Sequence, residues 1–404
     1  MTPTADQPSA WQRDRVVPAA LALITLVGLV LRLHLYERSL VGDELSTLWI
    51  VQNHGLLDTI RLVGTNAEIT PPFSFVLSWF STRLGDAPEL VRLPSLIAGV
   101  ATIPLVYLLG RRTVSIRAGL VGSSVFALSP FVTYFAANGR GYAVLILLLI
   151  GSTLTMLRGV ESGRAGWWVA YGLLSCLAMY THYTAAFVLV AQLGWVLVQH
   201  PPARLVALAA NALAALLYLP WVPKVLDDFD SPTTDIMEAL QGSGLGAKRN
   251  AFEQWVFGHQ LLEPASFPGA AVMIVIGLGL LVAIGGLIFR FASRGRDEAM
   301  PAPREGLALI VVIALAAPVM EALLLLTGTD LLGSRNMAPS WYGLAATIGA
   351  LVTLPGGAVT LVSGALVLGG YGAGAVKLWG QDGNVIAVKE VAEKIDAEAR
   401  PGDS

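Results

Sequence analysis

Polar and charged residues that could do chemistry collect at the ends of long apolar runs. Gly42-Asp43-Glu44 follows the first run, Asn138-Gly139-Arg140 follows the third, His182 ends the fifth and Arg335 precedes the tenth. Adjacent carboxylates beside cations can orient a hydroxyl acceptor next to an anionic lipid head group, because a carboxylate accepts a proton and arginine binds phosphate bidentately. The pattern therefore predicts proton transfer beside a phosphate at one membrane face.

The same residues have structural interpretations, which the sequence leaves open. Asp43 and Glu44 could cap a surface helix that begins there. Arg140 and Arg335 could anchor helices at the lipid interface by snorkelling. His182 could be a satisfied polar residue at a helix end.

Glu321 is a separate case because it lies inside the ninth apolar run, near Pro318. A carboxyl group at that depth is costly and favours a function such as proton transport. The alternative is a protonated carboxyl group that hydrogen-bonds to backbone freed by the proline.

The composition indicates that membrane-spanning helices position these groups. Of the 404 residues 55% are hydrophobic and 13% are charged, and the mean hydropathy is +0.65, whereas soluble proteins carry about a quarter charged residues. A net charge of −2 gives no strong basic field and argues against nucleic acid as a partner. The single cysteine, Cys176, cannot form an internal disulfide, and no Cys/His pair has the spacing of a metal site.

Eleven apolar runs predict an all-α fold, a polytopic transmembrane helical bundle. The runs are 17–36, 93–110, 118–136, 142–157, 166–182, 184–199, 204–222, 268–290, 306–327, 337–354 and 357–376. The run 71–83 is too short to cross a hydrocarbon core of ~30 Å, so we expect it to lie in the interface or to re-enter. Apolar positions at helical spacing in 45–63 indicate interfacial helices in the first outer loop.

The distribution of arginines predicts the orientation. With 71–83 not crossing, a cytoplasmic N-terminus puts Arg111, Arg112, Arg158 and the cluster 290–304 inside, as the positive-inside rule requires. We therefore expect a multi-pass plasma-membrane protein of the cell envelope. Its N-terminus is cytoplasmic, its C-terminus is outside and its active site faces outside.

One transmembrane module, 1–376, and a short tail, 377–404, make up the predicted organisation. The module has two long outer segments: 37–92, a platform of surface helices, and 223–267, which is acidic, then glycine-rich, and is predicted to be a mobile loop. The tail is predicted to be an amphipathic helix from the apolar residues Val388, Val391 and Ile395.

Several short motifs occur in a characteristic order over most of residues 17–350. They are Gly42-Asp43-Glu44, Thr70-Pro71-Pro72-Phe73, Arg92-Leu93-Pro94-Ser95, Tyr107-Leu108-Leu109-Gly110-Arg111-Arg112, Leu128-Ser129-Pro130-Phe131, Arg140-Gly141-Tyr142-Ala143 and Tyr180-Thr181-His182-Tyr183. This order resembles the GT-C superfamily of membrane glycosyltransferases. Within it, the chain is similar to the bacterial branch of the dolichyl-phosphate-mannose protein mannosyltransferases and lipid A aminoarabinose transferases.

The resemblance implies a donor sugar on a polyprenyl monophosphate and a lipid, glycan or protein hydroxyl as acceptor. Asp43 then corresponds to the general base and Glu44 to its neighbour in an Asp-Glu pair. Arg140 and Arg335 correspond to arginines associated with the donor phosphate. The supporting positions are Asn138, Tyr142 and His182.

This sequence also departs from the family pattern. Thr70 stands where relatives often have His or Lys, and Ala137-Asn138-Gly139-Arg140 stands where many read Gln-Glu-Ala-Arg. Relatives usually continue into a small soluble domain, whereas this sequence stops at Ser404. We therefore expect acceptor recognition to be reduced, delegated to a partner or absent.

The sequence thus predicts an inverting glycosyltransferase that moves a sugar from a polyprenyl-phosphate donor to a hydroxyl acceptor at the outer face. The alternatives are a non-catalytic membrane scaffold or lipid-binding subunit, and a secondary transporter that uses Glu321. A transporter should show two matching halves with broken helices, which the sequence does not show. No cofactor is required, but paired acids bind Mg²⁺ or Mn²⁺ without distinctive spacing, so a divalent metal stays open.

Overall fold

The computed structural model describes residues 10–40, 42–65, 68–229, 231, 244–258, 269–293 and 304–380. Every regular element within these ranges is helical, which confirms the all-α prediction. The helices are α1 (Ala10–Tyr36), α2 (Asp43–Asn53), α3 (Leu56–Val63), α4 (Phe73–Ser81), α5 (Leu93–Thr113), α6 (Ile116–Leu128), α7 (Pro130–Ala136), α8 (Tyr142–Ser162), α9 (Ala165–Met179), α10 (Ala185–Gln199), α11 (Arg204–Tyr218), α12 (Val222–Phe229), α13 (Leu245–Phe257), α14 (Ala270–Ser293), α15 (Arg304–Leu326), α16 (Trp341–Thr353) and α17 (Gly357–Trp379).

Helices stand at all eleven predicted runs, and the polytopic bundle is confirmed. In the described part of the chain, seven helices are long and apolar enough to cross a membrane, or eight if α6 and α7 together form one bent span. α9 and α10 have 15 residues each and α16 has 13. A count of eleven crossings therefore stays a prediction.

The segment 37–92 contains the helices that the sequence predicted for it. α2 and α3 cover the stretch 45–63, and α4 has nine residues, about 14 Å of helix, which is too short to cross. α4 packs against α2, α3 and α5. The hydroxyl groups of Ser78 and Ser81 donate to the carbonyls of Val91 and Leu90 at 3.1 and 2.7 Å, which fixes α4 to the 3₁₀ segment Pro88–Arg92.

The segment 223–267 was predicted to be a mobile loop, but part of it is helical. α12 and α13 lie within it, and α13 is anchored by tryptophans: the indole of Trp255 donates to the carbonyl of Met337 at 2.9 Å, and that of Trp341 to the carbonyl of Trp255 at 2.7 Å. The prediction missed α13 because buried indoles stabilise it rather than a long apolar run. Residues 232–243, 259–268 and the predicted tail helix with Val388 lie outside the described residues.

The predicted single run 118–136 is two helices, because α6 and α7 meet at an angle of 63°. Pro130 has no backbone N–H for the carbonyl of Phe126. The buried guanidinium of Arg32 in α1 donates instead, at 3.3 Å to Phe126 and 3.2 Å to Ala127. A cation at the carbonyl end of α6 also complements its dipole. The break turns α7 aside and sets the position of the loop 137–141.

Glu321 is fully buried in α15, yet neither carboxyl oxygen has a hydrogen-bond partner among the described residues. The expected hydrogen bond to backbone near Pro318 is therefore wrong. A different side chain bonds to the backbone beside Pro318: the hydroxyl of Ser340 accepts the N–H of Ala317 at 2.9 Å.

Candidate active site

α2 presents Asp43 at its first position. The preceding Gly42 has φ +48°, a left-handed conformation that glycine adopts without strain. The carboxylate of Asp43 is exposed and accepts no hydrogen bond from any described residue. The N-cap residue is Gly42, and Asp43 and Glu44 both lie in the first turn, where the helix dipole favours negative charge. Asp43 is thus an accessible carboxylate beside positive helix-end amides.

Glu44, its neighbour, is buried and fully engaged. The Nε and Nη2 atoms of Arg92 donate to its two carboxylate oxygens at 2.6 and 2.7 Å, and the backbone N–H of Gly139 donates at 2.7 Å. The same guanidinium donates to the carbonyls of Tyr36, Arg38 and Ser39 after α1. Glu44 therefore connects α2 to the loop 137–141 and, through Arg92, to the end of α1. Its carboxylate is not available as a second free acid.

The loop 137–141 holds two of the predicted residues in a narrow space. A Cβ atom on Gly141 would come within 2.9 Å of the Ser74 Cβ and 3.0 Å of the Thr181 methyl group, so only glycine fits. The hydroxyl of Ser95 donates to the carbonyl of Arg140 at 2.9 Å. Asn138 is nearly buried; its amide N lies 3.5 Å from the hydroxyl of Tyr134, and its Oδ1 has no hydrogen-bond partner among the described residues.

Arg140 forms an ion pair that the sequence did not predict. Its Nη1 and Nη2 atoms donate to the two carboxylate oxygens of Glu68 at 2.9 and 3.1 Å, and Nη1 lies 3.4 Å from the hydroxyl of Thr47. Its guanidinium also lies 5.7 Å from the ring centroid of Phe75. Burial disfavours the charge on Arg140, but Glu68 outweighs burial, so the pKa of Arg140 lies above its ordinary value. Arg140 is a positioned cation, not a snorkelling anchor.

A small recess, with a volume of about 10 Å³, lies beside this ion pair. Much of its lining carries hydroxyl groups, which suit a polyhydroxylated ligand because each can donate and accept. The lining includes Thr47, Thr70, Ser74, Thr181, Phe75, Arg140, Tyr142 and His182. Asp43 does not line the recess, but its charge acts on Arg140 and Tyr142, which do.

His182 lies in the turn between α9 and α10, with its ring 5.2 Å from that of Tyr142. Its Nδ1 lies 3.3 Å from the backbone N of Thr184 and 2.9 Å from the hydroxyl of the same residue. Burial, then the charges of Arg140 and Arg335, lower the pKa of His182 to about 3. The imidazole is therefore a neutral donor at neutral pH.

The lowered pKa predicts how His182 affects stability. Above pH 6.5 the ring is neutral in both states, but below that value the unfolded chain takes up a proton that the folded site excludes. The free energy of unfolding should therefore decrease as the pH falls below 6.5. At pH 5 this group alone should account for a decrease of about 1–2 kcal/mol. In His182→Asn, whose amide oxygen can replace Nδ1, that share of the loss should disappear. Denaturant unfolding in detergent at pH 7.5 and pH 5 measures it. Equal losses in both proteins would mean that His182 is not shielded.

Arg335 lies in the 3₁₀ segment Ser334–Ser340 and interacts electrostatically with Tyr142 and His182, both of which line the recess. α13 holds this segment. The hydroxyl of Ser334 donates to Gln254 at 2.8 Å, and Lys248 pairs with Asp330 just before the segment. Four separate parts of the chain thus contribute the predicted residues Asp43, Asn138, Arg140, Tyr142, His182 and Arg335, and Glu44 holds the loop 137–141 through the amide of Gly139.

The described residues do not fit a divalent metal at the Asp43-Glu44 pair. Glu44 is already bound by Arg92 and the amide of Gly139, which leaves Asp43 as a single carboxylate. No group of three His, Cys, Asp or Glu side chains among the described residues could hold an ion.

Sequence reasoning missed the partners Glu68 and Arg92. Arg92 opens one of the quoted motifs, and Glu68 lies two residues before Thr70-Pro71-Pro72. Each pairs with a residue more than 45 positions away, so local spacing carried no sign of either contact. The only sign of Glu68 in the sequence was that this carboxylate lies close to a recognised motif.

Comparison with known proteins identifies one family model and several solved structures that are similar to this chain. Residues 70–226 match the sequence model of the family described as dolichyl-phosphate-mannose-protein mannosyltransferase. This stretch runs from the motif of Thr70 through the turn of His182 into α12. No curated protein sequence matches the chain.

Solved structures share the fold. The oligosaccharyltransferase of Archaeoglobus fulgidus, tethered with an acceptor peptide containing the NVT sequon, is 14% identical with a TM-score of 0.56, over 98% of this chain and 60% of that one. Its complex as AglB with an inhibitory peptide and a dolichol-phosphate is 15% identical with a TM-score of 0.51, over 98% of this chain and 53% of that one. ArnT from Cupriavidus metallidurans is 16% identical with a TM-score of 0.47, over 96% and 82%.

The chain thus spans 60% of the length of the first of these enzymes. At such identities the likeness is one of fold. Together with the family match, it confirms the resemblance to the GT-C superfamily that the order of motifs indicated.

Proposed function

We propose that this chain is a membrane glycosyltransferase that moves a sugar from a polyprenyl-phosphate donor to a hydroxyl acceptor and inverts the anomeric carbon. The observation that carries the proposal is an accessible carboxylate, Asp43, whose charge acts on the cation Arg140 beside a recess lined with hydroxyl groups. The family match and the dolichol-phosphate bound to the structurally similar AglB support the class of donor. The acceptor belongs to a lipid, a glycan or a protein.

The residues divide the chemistry between two ends of the reacting bond. A phosphate leaving group needs charge stabilisation, which Arg335 and Arg140 supply, and no general acid. The acceptor hydroxyl has a pKa far above 7 and needs a base, and Asp43 is the carboxylate that lies open to accept its proton. Attack by the acceptor opposite the phosphate then gives the inverted product.

The remaining residues orient the sugar and the loop. The neutral imidazole of His182 donates to an oxygen of the donor, and Tyr142 forms the apolar wall beside it. Asn138 offers a buried amide oxygen to a hydroxyl group. Glu44, which the sequence grouped with the catalytic pair, is here a positioning residue because Arg92 and Gly139 occupy its oxygens.

The site faces the outside in this proposal, on the evidence of charge bias. Asp86, exposed after α4, should lie outside, and Ser162, exposed at the end of α8, should lie inside. In a Cys176→Ser background, Asp86→Cys should react with a membrane-impermeant maleimide in intact cells. Ser162→Cys should react only after permeabilisation. The reverse pattern would contradict the orientation.

Replacement of Arg335 tests the function through donor binding. A charge-assisted contact to phosphate contributes about 1.5–3 kcal/mol, so Arg335→Ala should weaken binding of a polyprenyl-phosphate sugar about ten- to a hundredfold. Arg61→Ala removes an equally charged but exposed side chain from α3 and should change little. The measurement is the Kd of purified protein for a panel of such donors. If no donor binds, the scaffold alternative becomes the better account.

A further inference from the structure

The ion pair of Arg140 and Glu68 has the geometry of arginine bound to phosphate. Two parallel N–H groups meet two oxygens at 2.9 and 3.1 Å, and both side chains are nearly buried, with 13% and 9% of their surface exposed. Arginine presents the same fork of donors to a phosphate. The carboxylate of Glu68 therefore occupies the place on Arg140 that a ligand phosphate would take.

The two buried ion pairs of this region differ in what else holds the carboxylate. Glu44 also accepts the backbone N–H of Gly139 at 2.7 Å, and its partner Arg92 is fixed by three backbone carbonyls. Among the described residues, Glu68 has one further hydrogen-bond donor, the hydroxyl of Thr70 at 3.3 Å. Arg140 lines the recess whereas Arg92 does not. The Glu68 pair is thus the one that a ligand can reach and open.

We propose that Glu68 is a positioning residue that competes with the donor phosphate for Arg140. In the empty site its carboxylate holds the guanidinium in place. The incoming phosphate displaces it, and when polyprenyl phosphate leaves after transfer, Glu68 takes Arg140 back. This inference rests on the proposed function, since it concerns the phosphate of that donor and of that product.

The exchange has a physical consequence for release of the product. One charge-assisted contact replaces another, so the net gain from Arg140 is smaller than that of an unoccupied arginine. A neutral lipid alcohol does not compete with a carboxylate for a guanidinium, so its binding is independent of the pair. The pair therefore weakens binding of phosphate to a level that permits release of the product.

The affinities of the full-length protein for undecaprenyl phosphate and for undecaprenol test this role. Glu68→Gln should bind undecaprenyl phosphate about tenfold more tightly than the wild type, because the competing charge is gone, a change of about 1.4 kcal/mol. Binding of undecaprenol should not improve. Asp58→Asn, which removes an exposed carboxylate from α3, is the matched control and should leave both affinities unchanged.

A double-mutant cycle separates direct competition from a general charge effect. In an Arg140→Gln background, Glu68→Gln should no longer tighten binding, because Glu68 acts through Arg140. Persistence of the gain in that background would overturn the proposal. Glu68→Asp keeps the charge but loses the reach for both nitrogens, so it should give an intermediate affinity if Glu68→Gln does not fold.

The remaining outcomes distinguish this inference from the proposed function. If the wild type binds undecaprenyl phosphate and a folded Glu68→Gln binds it equally or more weakly, Glu68 is only structural and the inference fails alone. If neither protein binds the lipid phosphate, the proposed function fails and the inference with it. Tighter binding by Glu68→Gln supports both.

Discussion

Asp43→Asn should lower the rate of sugar transfer by about 10²- to 10⁴-fold while donor binding stays close to that of the wild type. The amide cannot accept a proton from the acceptor hydroxyl, and removal of a general base costs a factor of this size. Folding should be unaffected because the carboxylate is exposed and accepts no hydrogen bond from the described residues. Single-turnover transfer at saturating donor measures the effect on the chemical step.

Asp58→Asn is the control for that experiment. Asp58 lies exposed on the neighbouring α3 and pairs with Arg61, so its replacement removes the same charge without touching the recess. Its transfer rate should match the wild type. A near-normal rate in Asp43→Asn would show that another group accepts the proton.

Glu44→Leu should lower the free energy of unfolding by about 3–5 kcal/mol, the largest loss of stability that we expect from a single substitution in this region. The change strands the buried charge of Arg92 and leaves the N–H of Gly139 without its acceptor. Denaturant unfolding of the purified protein in detergent measures this loss.

The corresponding double variant tests whether the loss arises from the ion pair. Glu44→Leu with Arg92→Leu should be less unstable than the sum of the two single variants, since neither charge is then left unpaired. Strict additivity would mean that the two side chains contribute independently. The exposed pair of Arg61 and Asp58 should contribute less than about 1 kcal/mol when broken in the same way.

Elements defined by a long apolar run or by regular spacing were predictable from the sequence. Helices stand at every predicted run, and α2 and α3 cover the stretch whose spacing indicated surface helices. The run 71–83 contains the nine-residue helix α4, and that it does not cross stays a prediction. These predictions succeed because lipid requires a helix wherever apolar residues span it.

Features that depend on contacts between distant residues were not predictable in this way. The 63° break between α6 and α7 could be suspected from Pro130, but its stabilisation by Arg32 could not, because that residue lies nearly 100 positions away. α13 escaped prediction since it is held by the indole groups of Trp255 and Trp341.

The candidate site shows the same division. Motif order identified Asp43, Arg140 and Arg335, and the structure brings them to one region. It could not reveal that Glu44 is committed to Arg92 or that Glu68 occupies Arg140. Both facts change the expected chemistry: one acid becomes a positioning residue, and one cation must be exchanged before it binds a ligand.

Transfer itself is the most direct test of the central claim. The purified protein in liposomes would be given radiolabelled polyprenyl-phosphate sugars together with lipid, glycan and peptide hydroxyl acceptors. The proposal predicts, for at least one donor, release of one polyprenyl phosphate for each sugar transferred, with inverted configuration at the anomeric carbon and dependence on Asp43. Absence of both binding and turnover across the panel, with the protein folded, would contradict it.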